Sequence, residues 1–139
     1  TGAAGVALGA AQGAYEGALK FCKERILYGK PIATLQAIQF MLVDMNTDIE
    51  AARWLCYRPS WLLDQGKTAR ELGTDISRAK LFAVDMAIRT SLKAQQAMGA
   101  YGQSPEYHVE MFLRDTLELL TAGGTQEIMR VTIGRAITG

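Results

Sequence analysis

From Leu35 onward, Ile38, Leu42, Met45, Ile49, Ala52, Cys56, Pro59 and Leu63 follow one another at alternating steps of three and four residues without a miss. That rhythm keeps one long side of an α-helix apolar. A stripe of this length is stable in water only when other helices cover it, so the chain is confined to helical bundles. Thr34 is the expected N-cap of this helix and Gly66 its C-terminal stop. Pro59 lies on the stripe and removes one intrahelical hydrogen bond, so a kink is expected near Leu55.

The other helices follow from the same periodicity and its punctuation. A first helix is expected over Ala3–Leu27, broken by Gly29, Lys30 and Pro31. Gly5, Gly9, Gly13 and Gly17 stack on one of its faces, and each costs about 1 kcal/mol against Ala, so a neighbouring backbone or a ligand is expected to press closely there. A third helix over Thr74–Met98 places Ile76, Ala79, Ala83, Met86, Thr90, Ala94 and Ala97 on one side and ends at Gly99 and Gly102. Ser104 and Pro105 form a cap and first turn for a shorter helix to Leu120. After Ala122, Gly123 and Gly124 a last helix runs from Thr125 to Ala136.

No stretch alternates with period two, so strands are not expected. The fold class is all-α, an antiparallel four-helix up-and-down bundle with an additional short C-terminal helix. Connections are short and no linker interrupts the chain, which makes residues 1–139 one domain. A formal charge of +1, with both signs interspersed, gives no basic field for nucleic acid. The Gly- and Ala-rich opening run is too weakly apolar for a membrane span and lacks the basic flank of a signal peptide. Cys22 and Cys56 have neither metal-ligand nor disulfide spacing. Because Thr1 opens directly into a helical pattern without Met, the chain is expected to be a fragment of a longer protein.

The common nucleotide-loop, zinc and serine-nucleophile motifs are absent. His108, beside Glu106 and Glu110, is expected at the surface. The pairs Glu50/Arg53 and Arg114/Glu118 have the spacing of modest surface ion pairs, and Met41, Met45 and Met86 that of core filler. One segment is chemically suggestive. Gly123 and Gly124 open a helix, which aims backbone N–H groups at whatever carries negative charge. From the residues alone it is either an ordinary capped turn or an anion site.

Several ordered motifs carry a resemblance. The segment KERILYGKPIATLQAIQFMLVDM (Lys23 to Met45), QAMGAYG (Gln96 to Gly102), LRDTLEL and GGTQEIMR resemble, in that order and almost without gaps, the C-terminal helical domain of the acyl-CoA dehydrogenase flavoproteins. The resemblance implies a longer chain, a helical N-terminal domain, a central β-domain and FAD held partly between subunits of a dimer or tetramer. It implies FAD-dependent α,β-dehydrogenation of an acyl-CoA thioester, with an electron-transfer flavoprotein as a partner and the bacterial cytoplasm, or alternatively the mitochondrial matrix, as the compartment. Carried over by position, Arg25 meets the FAD diphosphate, Tyr28 stands for the family's Phe, and Gln36, Gln96, Gly99 and Ala100 reach the FAD of a neighbouring subunit. Thr125 and Glu127 touch the cofactor at the opening of the last helix, and Gly123 and Gly124 line the substrate.

The sequence departs from the family at the base. Gly123 occupies the usual place of the catalytic glutamate, keeping an oxyanion-directed N–H but no carboxylate, so no catalytic residue is visible. Glu118 and Glu127 are the nearest carboxylates, and neither is expected to serve as base. Two readings stand. The base comes from the first helix, as in the isovaleryl-CoA and long-chain branches, about two residues before Thr1. Alternatively, the chemistry differs, or the chain is a catalytically silent subunit or oligomerisation module. Ala100 for Gly, Leu117 for Lys and Pro59 within a helix are further departures.

Overall fold

The structure is a computed structural model that describes residues 2–139. Helix α1 spans Gly2–Glu24, α2 Gln36–Asp64, α3 Gly73–Met98, α4 Val109–Glu118 and α5 Gln126–Thr138. The fold class is the expected one. The Cys56 thiol meets Ala4 O and the Cys22 thiol meets Ala97 O, both at 3.9 Å. The start of α1 therefore lies beside the end of α2, and its end beside the end of α3, which makes α1 parallel to α3 and antiparallel to α2. Three surface ion pairs rung the α2–α3 seam in antiparallel order: Asp44 with Lys93 at 2.7 Å, Asp48 with Arg89 at 3.3 Å, and Arg58 with Asp75. Exposed pairs of this kind contribute little each, about 0–1 kcal/mol, but they agree with the register that the core imposes.

The core of the bundle is an alanine seam. Ala4, Ala7, Ala11, Ala14 and Ala18 of α1 meet Ala79, Ala83, Ala87 and Ala94 of α3, and all are at most 1% exposed. Small side chains at three- and four-residue steps let two helices approach closely. Met45 and Ile49 of α2 and Met86 of α3 supply the large buried side chains beside it, and Met41 packs on the edge of the core. The glycine stripe of α1 is thus not the close-packed face as a whole. A Cβ at Gly13 would lie 2.5 Å from Phe112 Cζ and one at Gly17 2.9 Å from Val109 Cγ2, both on α4, whereas Gly5 and Gly9 face open space. Gly5→Ala and Gly9→Ala are each expected to stabilise the domain by about 0.5–1 kcal/mol, and Gly13→Ala to destabilise it, in thermal melts.

Five local expectations are corrected. Helix α1 stops at Glu24, and Ile26–Leu27 pairs antiparallel with Lys30–Pro31 in a two-residue hairpin, a small strand pair where none was expected. Tyr28 and Gly29 are both left-handed, φ 53° and 77°, as a tight turn between twisted strands requires. Thr34 does not cap α2: it sits in a 3₁₀ turn, its hydroxyl donates to Pro31 O at 2.8 Å, and Leu35 takes the cap position. The fourth helix begins later than Ser104, because Pro105–Tyr107 forms a 3₁₀ turn and His108, exposed and at φ 58°, redirects the chain into α4. Arg114 pairs with Glu110 at 2.6 Å rather than with Glu118. Pro59 is buried within α2, which runs on as one helix to Asp64. Gly66 ends it at φ 87°, with the Gly66 and Lys67 N–H groups donating to Leu63 O and Leu62 O. Among the described residues no helix is long and apolar enough to cross a membrane.

Candidate functional site

Two clefts lie at opposite ends of α1. The first, about 330 Å³, is walled by Arg25, Leu27, Ile32, Leu35 and Ile38 on one side and by the end of α3 and the 3₁₀ turn after it, Gln96 to Tyr101, on the other. The chain makes this wall by turning sharply at Gly99, φ 61°, and then folding Gly102 back against the Gln95 backbone. A Cβ on Gly102 would sit 2.7 Å from Gln95 Cα, whereas one on Gly99 would meet nothing within 4 Å. The Gly99–Ala100 peptide is therefore pushed outward, where another molecule can lie on it.

Of the residues assigned to cofactor contact, Arg25, Gln96, Gly99 and Ala100 share this cleft. Gln36 is exposed at the first turn of α2, between the lining residues Leu35 and Ile38. Tyr28 stands at the tip of the hairpin, 84% exposed and outside the lining. The sequence does not single out the aromatic cluster that shapes the rim: Phe21, Tyr101 and Tyr107 meet tilted or edge-to-face, with centroids 5.3–5.6 Å apart. The Arg25 guanidinium lies over the Tyr101 ring, 5.2 Å from its centroid. A ring face orients a guanidinium without neutralising it, so its N–H fork can meet a diphosphate. The donor chemistry of this wall fits the phosphate portion of a flavin dinucleotide.

The second cleft, about 380 Å³, lies where the start of α1 meets the opening of α5, and its walls include Gly2, Ala3, Ser77, Lys80, Gly123 and Met129. Gly123 and Gly124 are left-handed, φ 66° and 102°, and their N–H groups donate to no backbone carbonyl among the described residues. A Cβ on Gly123 would find only Ala3 Cβ, at 3.9 Å, whereas one on Gly124 would meet Met129 Cε at 3.0 Å. Thr125 caps α5, its hydroxyl accepting from Ile128 N at 3.4 Å. Glu127 is exposed, and hydrogen bonds from its own N–H and the Thr125 hydroxyl hold its carboxyl below the usual range, aided by Arg130 at 3.6 Å. Glu118 lies exposed at the end of α4.

One residue of this cleft's wall, Lys80, and one beside the cleft, Gln126, carry no mark in the sequence. Lys80 is 5% exposed, and its ammonium donates to Gly124 O. Gln126 is also buried, and its Nε2 donates to Leu81 O at 3.2 Å and Asp85 Oδ1 at 2.9 Å. The available signal was the pairing of Lys80 with Ala79 on a helix face otherwise made of Ala, Val and Met.

The C-terminal domain model of acyl-CoA dehydrogenases matches residues 1–138. The chain is 41% identical, over 138 residues, to an acyl-CoA dehydrogenase of Bacillus subtilis, a match that covers 99% of this chain and 36% of that protein. It superposes on butyryl-CoA dehydrogenase from Megasphaera elsdenii with a TM-score of 0.92 and 37% identity, covering 99% of this chain and 36% of the other. The FAD complex of PigA superposes with a TM-score of 0.85 at 27% identity, covering 94% of this chain and 33% of the other. The chain thus spans about a third of the length of the relatives it matches.

Proposed function

This chain belongs to the acyl-CoA dehydrogenase family, whose C-terminal domain it constitutes, and we propose that it serves there as the part of an FAD-dependent acyl-CoA dehydrogenase that holds the cofactor's phosphates and offers an oxyanion donor to the thioester. The observation that carries this reading is the pair of N–H groups at Gly123 and Gly124, which donate to no backbone carbonyl among the described residues and open α5 beside a cleft lined by Gly123 and the start of α1. FAD, when bound, supplies the two-electron acceptor for the hydride that leaves the β-carbon. What this domain contributes is positional: the Gly123 N–H and the positive end of α5 favour the negative charge that develops on the thioester oxygen as the α-proton leaves.

The proton acceptor is proposed to lie on α1. A helix continued one turn upstream carries the residue two before Thr1 on the same face as Gly2 and Ala3, which look onto Gly123. A carboxylate there replaces the one that Gly123 lacks. Electrons then leave for an external acceptor, for which an electron-transfer flavoprotein is proposed.

A homo-oligomer is supported by the distance between clefts. The 23 residues of α1 separate them by roughly 34 Å, farther than one flavin dinucleotide reaches, so the cleft at Arg25 and the cleft at Gly123 are proposed to serve cofactors of different subunits. The outward face of α2 supports the same reading. Phe40, Val43, Trp54, Tyr57 and Trp61 are each more than half exposed, and with Thr47 and Glu50 they form one stripe along the helix at steps of three and four.

The test uses the full-length protein. It is expected to purify with FAD, and Arg25→Ala is expected to weaken FAD retention about tenfold, the cost of roughly 1.4 kcal/mol of lost phosphate contact. Equal FAD content in wild type and variant after dialysis removes Arg25 from the cofactor site.

A further inference from the structure

We propose that Lys80 is a positioning residue for the oxyanion donor, its buried ammonium clamping the Gly124 carbonyl and so fixing the direction of the Gly123–Gly124 turn. The inference rests on the reading of that turn as the oxyanion site and adds the residue that controls it.

Two consecutive left-handed glycines make the least constrained backbone in the chain, since neither carries a Cβ to restrict it. Gly123 touches almost nothing: the nearest atom to its would-be Cβ is 3.9 Å away. A donor on such a segment is useful only if something outside the segment holds it. Thr125 caps α5 and Gln126 ties its first turn to Leu81 and Asp85, but both act beyond the glycines. The contact made by the pair itself is the bond from Lys80 to Gly124 O. It comes from α3, the helix that packs on α1, α2, α4 and α5, so the turn is referenced to the most rigid element of the bundle.

The position is an expensive one for a charge. Lys80 is 5% exposed, and desolvation pulls its pKa below the ordinary lysine value. Taking an ammonium out of water costs several kcal/mol before its partners are counted. Its neighbours Ala79, Ala83 and Val84 are wholly buried and apolar, and a methionine would fill the same space without that cost. Packing therefore does not account for the lysine; the Gly124 carbonyl it holds does, with the Glu127 carboxylate favouring the same charge from the first turn of α5. A fixed positive charge beside the Gly123 N–H also has the sign that favours a developing oxyanion.

The experiment compares wild type, Lys80→Met and Lys80→Arg in the full-length flavoprotein, by hydrogen–deuterium exchange and by steady-state turnover of an acyl-CoA. In Lys80→Met the amides of residues 123–126 are expected to exchange about tenfold faster, with the middles of α1 and α3 and the FAD content unchanged. Its kcat is expected to fall about 10–100-fold with KM within about threefold, since misplacing a reacting group by an ångström costs about that much. Lys80→Arg, which keeps a charged donor, is expected to restore most of both. Wild-type exchange at 123–126 in Lys80→Met overturns the proposal. So does faster exchange spread evenly through α1 and α3, which would mark Lys80 as a packing residue. A wild-type protein that turns over no thioester refutes the dehydrogenase reading instead, while the exchange comparison still decides the role of Lys80.

Discussion

Gly102→Ala is expected to lower the stability of the domain by about 3 kcal/mol, the upper part of the range for overpacking a close-fitted site. The reason is where the added methyl would go. It would lie 2.7 Å from Gln95 Cα and 2.8 Å from Gln95 O, both backbone atoms of α3 that no rotamer change can move aside. The turn must open instead, and with it the wall that presents Gly99 and Ala100 to the first cleft. For a chain of this size the loss corresponds to a fall in Tm of roughly 10 °C. Gly9→Ala is the control: it lies within a helix and its methyl meets nothing within 4 Å, so it carries no such clash. Equal melting points for the two variants would contradict the described packing of the turn.

The larger kinetic effect concerns the base. Replacing the carboxylate proposed two residues before Thr1 with its amide is expected to lower kcat by about 10³-fold, within the usual range for a general base. Gly123→Glu in that background is expected to recover at least about tenfold, because the left-handed backbone and open surroundings of Gly123 accept a side chain at about 1 kcal/mol. The recovered carboxylate would act from the α5 side of the same cleft. An amide variant that turns over at the wild-type rate would place the base elsewhere.

Helices were legible in the sequence because their signal is repeated many times. The α2 stripe from Leu35 to Leu63 supplies nine concordant positions, and no single residue can mask it. The errors fall where one or two residues decide. Thr34 has the chemistry of an N-cap, but the hairpin after Gly29 leaves it inside a 3₁₀ turn, and its hydroxyl goes to Pro31. Ser104 and Pro105 start a turn as expected, yet His108 adopts a left-handed conformation that few non-glycine residues take, which delays α4. The glycine stripe was read as one packed face, although α4 is short enough to reach only Gly13 and Gly17.

The site was legible to a different degree. Gly123 and Gly124 announce themselves as a pair opening a helix, and the motifs around Arg25 and Gln96 mark the other cleft. Lys80 does not, because its importance lies in a carbonyl 44 residues away. The aromatic cluster of Phe21, Tyr101 and Tyr107 was hidden for the same reason: two connecting segments must fold before those rings meet. Long-range contacts between a helix and a turn leave no period in the sequence.

The most direct measurement of the central claim is anaerobic titration of the full-length flavoprotein with saturated acyl-CoA thioesters of graded chain length, following the flavin absorbance and the thioester product. Bleaching of the flavin in step with formation of the α,β-unsaturated thioester is the predicted result. A flavin that stays oxidised with every thioester, in a protein that is folded and FAD-replete, would contradict it and leave the domain as a silent, cofactor-holding member of its family.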